Sequence, residues 1–272
     1  MQLQSVFTAL GSNLNPTLTQ LAKARRALFV EGKDFQILAA FARKLSKQAV
    51  ANRADFAVIP VEGFNPQKVN DLAKGMELTL GTKILKAVVF DRDYRSEQEV
   101  ASVKSEISRF AVLAHIHERK ELENYLLEAL AVERALKRQI QEHNKRSDAK
   151  VEYKEEVQPM LEALSEPMKH RISAQFLSKR SSFEKAKNPA LDQATITQRL
   201  LEAFEALWAD WSERRNVIPG KELLSELNRH LQDRYRVTLT PSAIIAAMHV
   251  DEVPKEIQSL IKRLEEFRIQ AV

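Results

Sequence analysis

Residues 84 to 97 read ILKAVVFDRDYRSE. The run ILKAVVF is apolar and rich in branched side chains, which reads as a central strand of a sheet. Asp91 and Asp93 then project from its carboxyl end, separated only by Arg92. Two like charges held this close need a compensating partner, so the strand and its acids together raise the question of what gathers there.

The segments on either side alternate between strand and helix patterns. NPTLTQLAKARR reads as a short helix with Asn15 as its N-cap and Pro16 at its first position. ALFVEG, at 27–32, is a strand ending in an acid and a glycine. Residues 33–45 follow with Phe35, Leu38, Phe41, Ala42 and Leu45 at helical spacing. DFAVIPVEG (55–63) predicts a second strand, PQKVNDLAKGMELTL a second helix, ILKAVVF the third strand, SEQEVASVKSEISRF a helix opened by Ser96, and AVLAHIHE (111–118) a fourth strand. Such alternation predicts an α/β fold, a mostly parallel sheet with helices on both faces, whose functional groups lie outside the carboxyl ends of the strands. Glu31, Glu62, Asp91 and the acids after His117 are therefore candidates for one rim.

From about residue 122 the pattern becomes long charged helices. ELENYLLEALAVERALKRQIQEHNKR puts Leu122, Leu126, Leu130 and Ala131 on one side, and VQPMLEALSEPMKHRISAQFLSKR forms another such segment. RSSFEKAKNPALDQ (180–193) reads as a loop. TITQRLLEAFEALWADWSERR carries an apolar stripe of Leu200, Leu201, Phe204, Leu207, Trp208 and Trp211, with the tryptophans expected in a core. Near the end, Thr240 is placed to cap a helix holding Pro241, and Ile257, Leu260, Ile261, Leu264 and Phe267 mark a last amphipathic helix.

Composition bounds the function. A chain of 272 residues can bury a full core, as one large domain or two modest ones. The net charge of +5 permits contact with nucleic acid without demanding it. With no cysteine, disulfides and thiolate metal sites are excluded. No apolar run approaches the ~20 residues of a transmembrane helix, and the N-terminal residues lack the pattern of a signal peptide. These features give the expectation of a soluble cytoplasmic protein without membrane partners.

Acids gathered at a strand rim bind a hard divalent cation, share a proton, or are paired by Lys and Arg. DRD alone leaves these readings open, since Arg92 and Arg95 stand beside the aspartates and a helix follows. Glu31 favours the first, because Gly32 lets the backbone pass close to a ligand. His115 and His117 alternate along a strand, and with no third histidine nearby they read as packing or nucleic-acid contacts. Lys137–Arg138, Lys145–Arg146, Lys169–Arg171 and Lys179–Arg180 offer either a track for a phosphate backbone or solvated helix surface.

LFVEGKDF followed by VVFDRDYRSE resembles the Toprim domain of primases, topoisomerases and several nucleases. Within that superfamily, RKELENYLLEAL (119–130) and VIPGKELLSELN (217–228) are similar to the nuclease half of the OLD (overcoming lysogenisation defect) family and related ATPase-linked nucleases of bacterial defence. The resemblance implies a Rossmann-like Toprim core at 27–130, a connector helix at 1–26 leading from an ABC-type ATPase, and a mainly helical extension at 131–272. It implies Glu31 as metal ligand and general base, Asp91 and Asp93 as ligands of Mg2+ or Mn2+, Glu123 as ligand of a second ion, and Lys221 as the cation facing the scissile phosphate. The implied activity is hydrolysis of DNA, or of RNA, with the ATPase as a domain or subunit and homo-oligomers as its usual assembly. This chain departs from the pattern at Phe35, where related nucleases often carry a second acid; Asp34 either substitutes or begins the helix.

Physically, two cations roughly 3.5–4 Å apart activate water and neutralise a leaving oxygen. A topoisomerase-like transesterase needs a tyrosine in a breakage module, which Tyr94, Tyr125, Tyr153 and Tyr235 do not form; a degenerate Toprim acting as a docking or dimerisation piece is the non-catalytic alternative. The sequence contains no G-x-x-x-x-G-K-[ST] loop, so the ATPase lies outside it.

Overall fold

In the computed structural model, which describes residues 15–147 and 150–272, every predicted strand forms within two residues of its expected bounds. Strands β1 (Arg26–Glu31), β2 (Ala57–Val61), β3 (Leu85–Phe90) and β4 (Leu113–Ile116) make one sheet in the order β2-β1-β3-β4, and all pairs are parallel. The protein is thus α/β with a parallel sheet flanked by helices, as the alternation predicts. The chain divides into two compact units. The first takes the described residues up to Asp91, Ala101–His117 and Val253–Val272; the second takes Arg92–Val100 and Glu118–Glu252.

The first unit holds the sheet. Leu28, Phe29, Val30, Val88 and Phe90 are fully buried, which explains why β1 and β3 read as continuous apolar runs. Helix α1 (Asn15–Ala24) precedes β1; the capping role expected of Asn15 concerns a side chain outside the described residues, as does the rest of the connector at 1–14. Helices α2 (Phe35–Lys44), α3 (Gln48–Ala51) and α4 (Pro66–Leu80) follow. On α2, Phe35, Leu38, Phe41 and Ala42 are buried as the spacing requires, whereas Leu45 is half-buried. Asn65 accepts from Lys68 N–H at 2.9 Å to cap α4, and Gly81 ends it at φ 65°. Glu77, buried near the end of α4, accepts from Ile84 N–H at 3.0 Å and Lys86 Nζ at 2.8 Å, which fixes the entry to β3. Helix α5 (Glu97–Ile107) opens as expected, with Ser96 Oγ accepting from Glu99 N–H at 3.2 Å.

The second unit is helical. The segment after Glu121 is not one helix: a 3-10 turn at Leu122–Leu126 precedes α6 (Ala129–Ser147). The reason is Asn124, whose side chain accepts from Glu121 N–H at 2.9 Å and so closes a capping box inside the expected helix. Similarly α7 (Val157–Ser165) gives way to a 3-10 turn at Glu166–Met168 before α8 (Lys169–Lys187), because Pro167 lacks the N–H that would continue the ladder.

Helix α8 also overturns the loop expected from residue 180: it runs on to Lys187, and Arg180 stacks 4.0 Å from the Phe176 ring while its Nε donates to Tyr94 O at 3.1 Å. Asp192 caps α9 (Gln193–Ala209) through Thr195 N–H at 2.8 Å. Phe176, Phe204 and Trp208 form an aromatic column with centroids 5.5 Å apart at each step. Trp208 is core, as expected; Trp211 is only half-buried and Leu201, at 43% exposure, lies outside the core, which narrows the stripe. Asp210 caps α10 (Trp211–Val217), α11 (Gly220–Tyr235) follows, and Thr240 caps α12 (Pro241–Ala247) by accepting from Ala243 N–H at 3.2 Å.

The last helix, α13 (Lys255–Ile269), belongs to the sheet unit. Its Ile257, Leu260, Ile261, Leu264 and Phe267 are all buried, and Phe56 bridges Phe35 and Phe267 at 5.9 and 6.1 Å. Arg268 pairs with Asp55 at 2.8 Å.

Candidate functional site

Within the sheet unit, two carboxylates end neighbouring strands. Val30 pairs with Val89, so Glu31 stands beside Phe90 and Asp91 lies one register step further along. Adjacent strands run ~4.8 Å apart, which keeps the two backbones close at this rim. Asp91 is 3% exposed, so its charge is largely removed from water. After Glu31 the chain turns through Gly32 at φ 50°, a left-handed conformation costly for a side chain bearing Cβ, and Gly32 N–H bonds to Val61 O at 3.2 Å. Glu62 follows β2 at the same rim and is exposed. Asp34 is buried and begins α2 as its N-cap residue, making no side-chain cap bond, while Phe35 is spent on the core.

The remaining motif residues lie in the second unit. Asp93 adopts φ 51°, its N–H donates to Lys120 O at 2.9 Å, and its carboxylate pairs with Arg95 at 2.6 Å. Arg92 is anchored by Glu97 at 2.7 Å and by Glu118 O at 3.0 Å. A cavity of about 270 Å³ is lined by Arg92, Asp93, Tyr94, Arg180 and Asn216 among others. Burial raises the Tyr94 phenol well above its ordinary range and lowers the Arg180 guanidinium to about 10.

The E-N-Y and P-G-K elements, far apart in sequence, meet here. Asn124 Nδ2 donates to Arg215 O and Ile218 O, both at 2.7 Å. A Cβ on Gly220 would fall 2.7 Å from Asn124 N and 2.9 Å from Glu123 C, so only glycine lets α11 start this close. Lys221 follows directly: its N–H donates to Glu121 Oε2 at 3.0 Å, and its Nζ lies 3.7 Å from Glu123 Oε1. Tyr125 is buried and structural, its hydroxyl accepting from Glu118 N–H at 3.1 Å beneath the Arg119 guanidinium. Glu123 and Lys221 are thus an ion pair, the carboxylate nearly buried and the lysine about half-exposed.

The basic clusters of the helices are largely engaged by neighbouring acids: Lys137 with Glu133, Lys169 with Glu205, Arg171 with Glu222 and Lys179 with Glu99. That pairing favours the solvated-surface reading over a continuous phosphate track.

One group escaped the sequence reading. In the sheet unit, His115 and His117 meet Glu256 of α13, with one ligand atom from each lying within 4.8 Å of the others. The alternating histidines were visible in β4, but the third member is an acid from the last helix, for which no local pattern exists. No helix among the described residues is long and apolar enough to cross a membrane.

No protein-family model matches the chain, and no curated protein does. Among solved structures, the chain is similar to the C-terminal region of the Burkholderia pseudomallei OLD protein, at 14% identity and a TM-score of 0.41, covering 90% of this chain and 98% of that one. It is also similar to the C-terminal region of the Xanthomonas campestris pv. campestris OLD protein, at 15% identity and TM-scores of 0.40 and 0.41 in two structures, covering 90% and 92% of this chain and 96% of each.

Proposed function

We propose that the chain is a metal-dependent phosphodiesterase that cuts nucleic acid, DNA in the first instance, using Mg2+ or Mn2+ bound at Glu31 and Asp91. The observation that carries this reading is the placement of those two carboxylates at the carboxyl ends of adjacent parallel strands, one register step apart. Oxygen donors of this kind suit hard dications that retain water, and a bound dication lowers the pKa of that water enough to make it a nucleophile at neutral pH. Glu31 is the residue assigned to receive the water's proton. The motif resemblance further implies Asp93 as a ligand with Asp91, and Glu123 as the ligand of a second ion. Lys221, held beside Glu123 at 3.7 Å, supplies the positive charge for the phosphoryl oxygens. In this reading cleavage is the effector step of a defence system against phage, governed by an ABC-type ATPase outside this sequence.

The test is incubation of supercoiled plasmid with the protein and Mn2+ or Mg2+, with Asp91→Ala and Glu31→Gln in parallel. Nicking that falls to background in both variants supports the reading. A covalent protein–DNA adduct would instead assign a transesterase, and binding without cleavage would leave a docking module.

A further inference from the structure

We propose that His115, His117 and Glu256 form a separate metal site, for a transition metal of the zinc class, that fastens helix α13 to strand β4 inside the sheet unit. The two histidines sit two residues apart, His115 in β4 and His117 just past its end, where its N–H still bonds to Phe90 O at 3.0 Å and keeps the extended alternation that puts both on one face. Helix α13 packs there: Arg263 Nη2 donates to Ala114 O at 3.3 Å, and Glu256 enters from the helix's first turn. All three side chains are nearly closed to solvent, at 9%, 1% and 8% exposure.

The donor atoms face one another. His115 Nε2 lies 2.9 Å from Glu256 Oε1 and 3.3 Å from His117 Nδ1, and His117 Nδ1 lies 3.5 Å from the same Oε1. A tetrahedral ion with bonds of ~2.0–2.2 Å places its donors about 3.3–3.6 Å apart, so the triangle already has nearly the size of one face of such a site. Read as hydrogen bonds, the 2.9 Å contact is ordinary, but the 3.3 Å contact between the two imidazole nitrogens and the 3.5 Å contact to the same oxygen are long. Two imidazole nitrogens and one carboxylate oxygen select zinc-class ions over magnesium. The carboxylate supplies charge that a dication would offset in a buried setting. Water would take the fourth position. The chemistry differs from that of Glu31 and Asp91, whose donors are oxygen alone.

The test strips the full chain with a chelator and titrates it with Co2+, whose tetrahedral complexes absorb visibly, and then with Zn2+ in competition. The expected result is one strong ligand-field band in the wild type, displaced by Zn2+, accompanied by a rise in Tm, retained in Asp91→Ala and lost in His117→Gln and Glu256→Gln. A wild-type chain with no band, a band surviving in both latter variants, or a band lost in Asp91→Ala overturns the proposal. Because the wild-type titration stands alone, a variant that fails to fold does not decide the matter.

Discussion

Gly220 brings its Cα so near Asn124 that a methyl group there would stand 2.7 Å from the Asn124 backbone nitrogen. This close approach is what sets Lys221 beside Glu123. Gly220→Ala is expected to cost about 1–3 kcal/mol, the range for overpacking a filled site, measured by urea denaturation. Cleavage should fall further than stability alone explains, since Lys221 shifts with the helix start.

Asn124→Ala removes the donor to Arg215 O and Ile218 O and the acceptor for Glu121 N–H, all in a buried site. A loss on the order of 3 kcal/mol is expected from such orphaned groups. Asn124→Asp should cost more, because a carboxylate would then face two carbonyl oxygens. Equilibrium unfolding of the two variants side by side checks the order.

Asp93 separates backbone strain from charge. Its φ of 51° is unfavourable for a side chain with Cβ, and its carboxylate, about half-exposed, pairs with Arg95. Both Asp93→Ala and Asp93→Gly lose the pair, which is worth at most about 1 kcal/mol at this exposure. Only the glycine relieves the strain, so Asp93→Gly should exceed Asp93→Ala in stability by about 1 kcal/mol. Equal denaturation midpoints would refute this account of the turn.

Glu77 gives the sheet unit an acid limit. Burial pushes its carboxyl up, but the Lys86 ammonium and the Ile84 N–H outweigh it and hold the group below its ordinary value of 4.5. A carboxyl depressed in the folded state contributes stability above its unfolded pKa and loses it as pH falls through the folded one. The Tm of the wild type should therefore drop more steeply below about pH 4.5 than that of Glu77→Gln. Parallel slopes would place the acid sensitivity elsewhere.

The strands were legible because β1 and β3 are buried on both faces, which forces unbroken runs such as LFV and AVVF. Helix α4 was legible at both ends, since Asn65, Pro66 and Gly81 each have a local backbone task. The break around Leu127 and the extension of α8 to Lys187 were not read, because Asn124 is also bonded to Arg215 O and Ile218 O, and Arg180 to Tyr94 O, contacts remote in sequence; the break at Pro167 has a local cause, its missing N–H. For the site, strand ends located Glu31 and Asp91. The E-N-Y and P-G-K elements could be quoted separately, but their meeting depends on the missing side chain of Gly220. Glu256 was invisible for the same kind of reason: its partners lie on a strand more than a hundred positions earlier.

The return of α13 to the sheet has a temporal consequence. During synthesis the ribosome releases all four strands early, yet the helix carrying Phe267 and Glu256 emerges only after every residue of the helical unit has been made. The nascent sheet therefore waits with one flank uncovered, and the later-encoded unit can complete its packing before the earlier one. A chaperone that binds exposed apolar strands would find its opening in that interval.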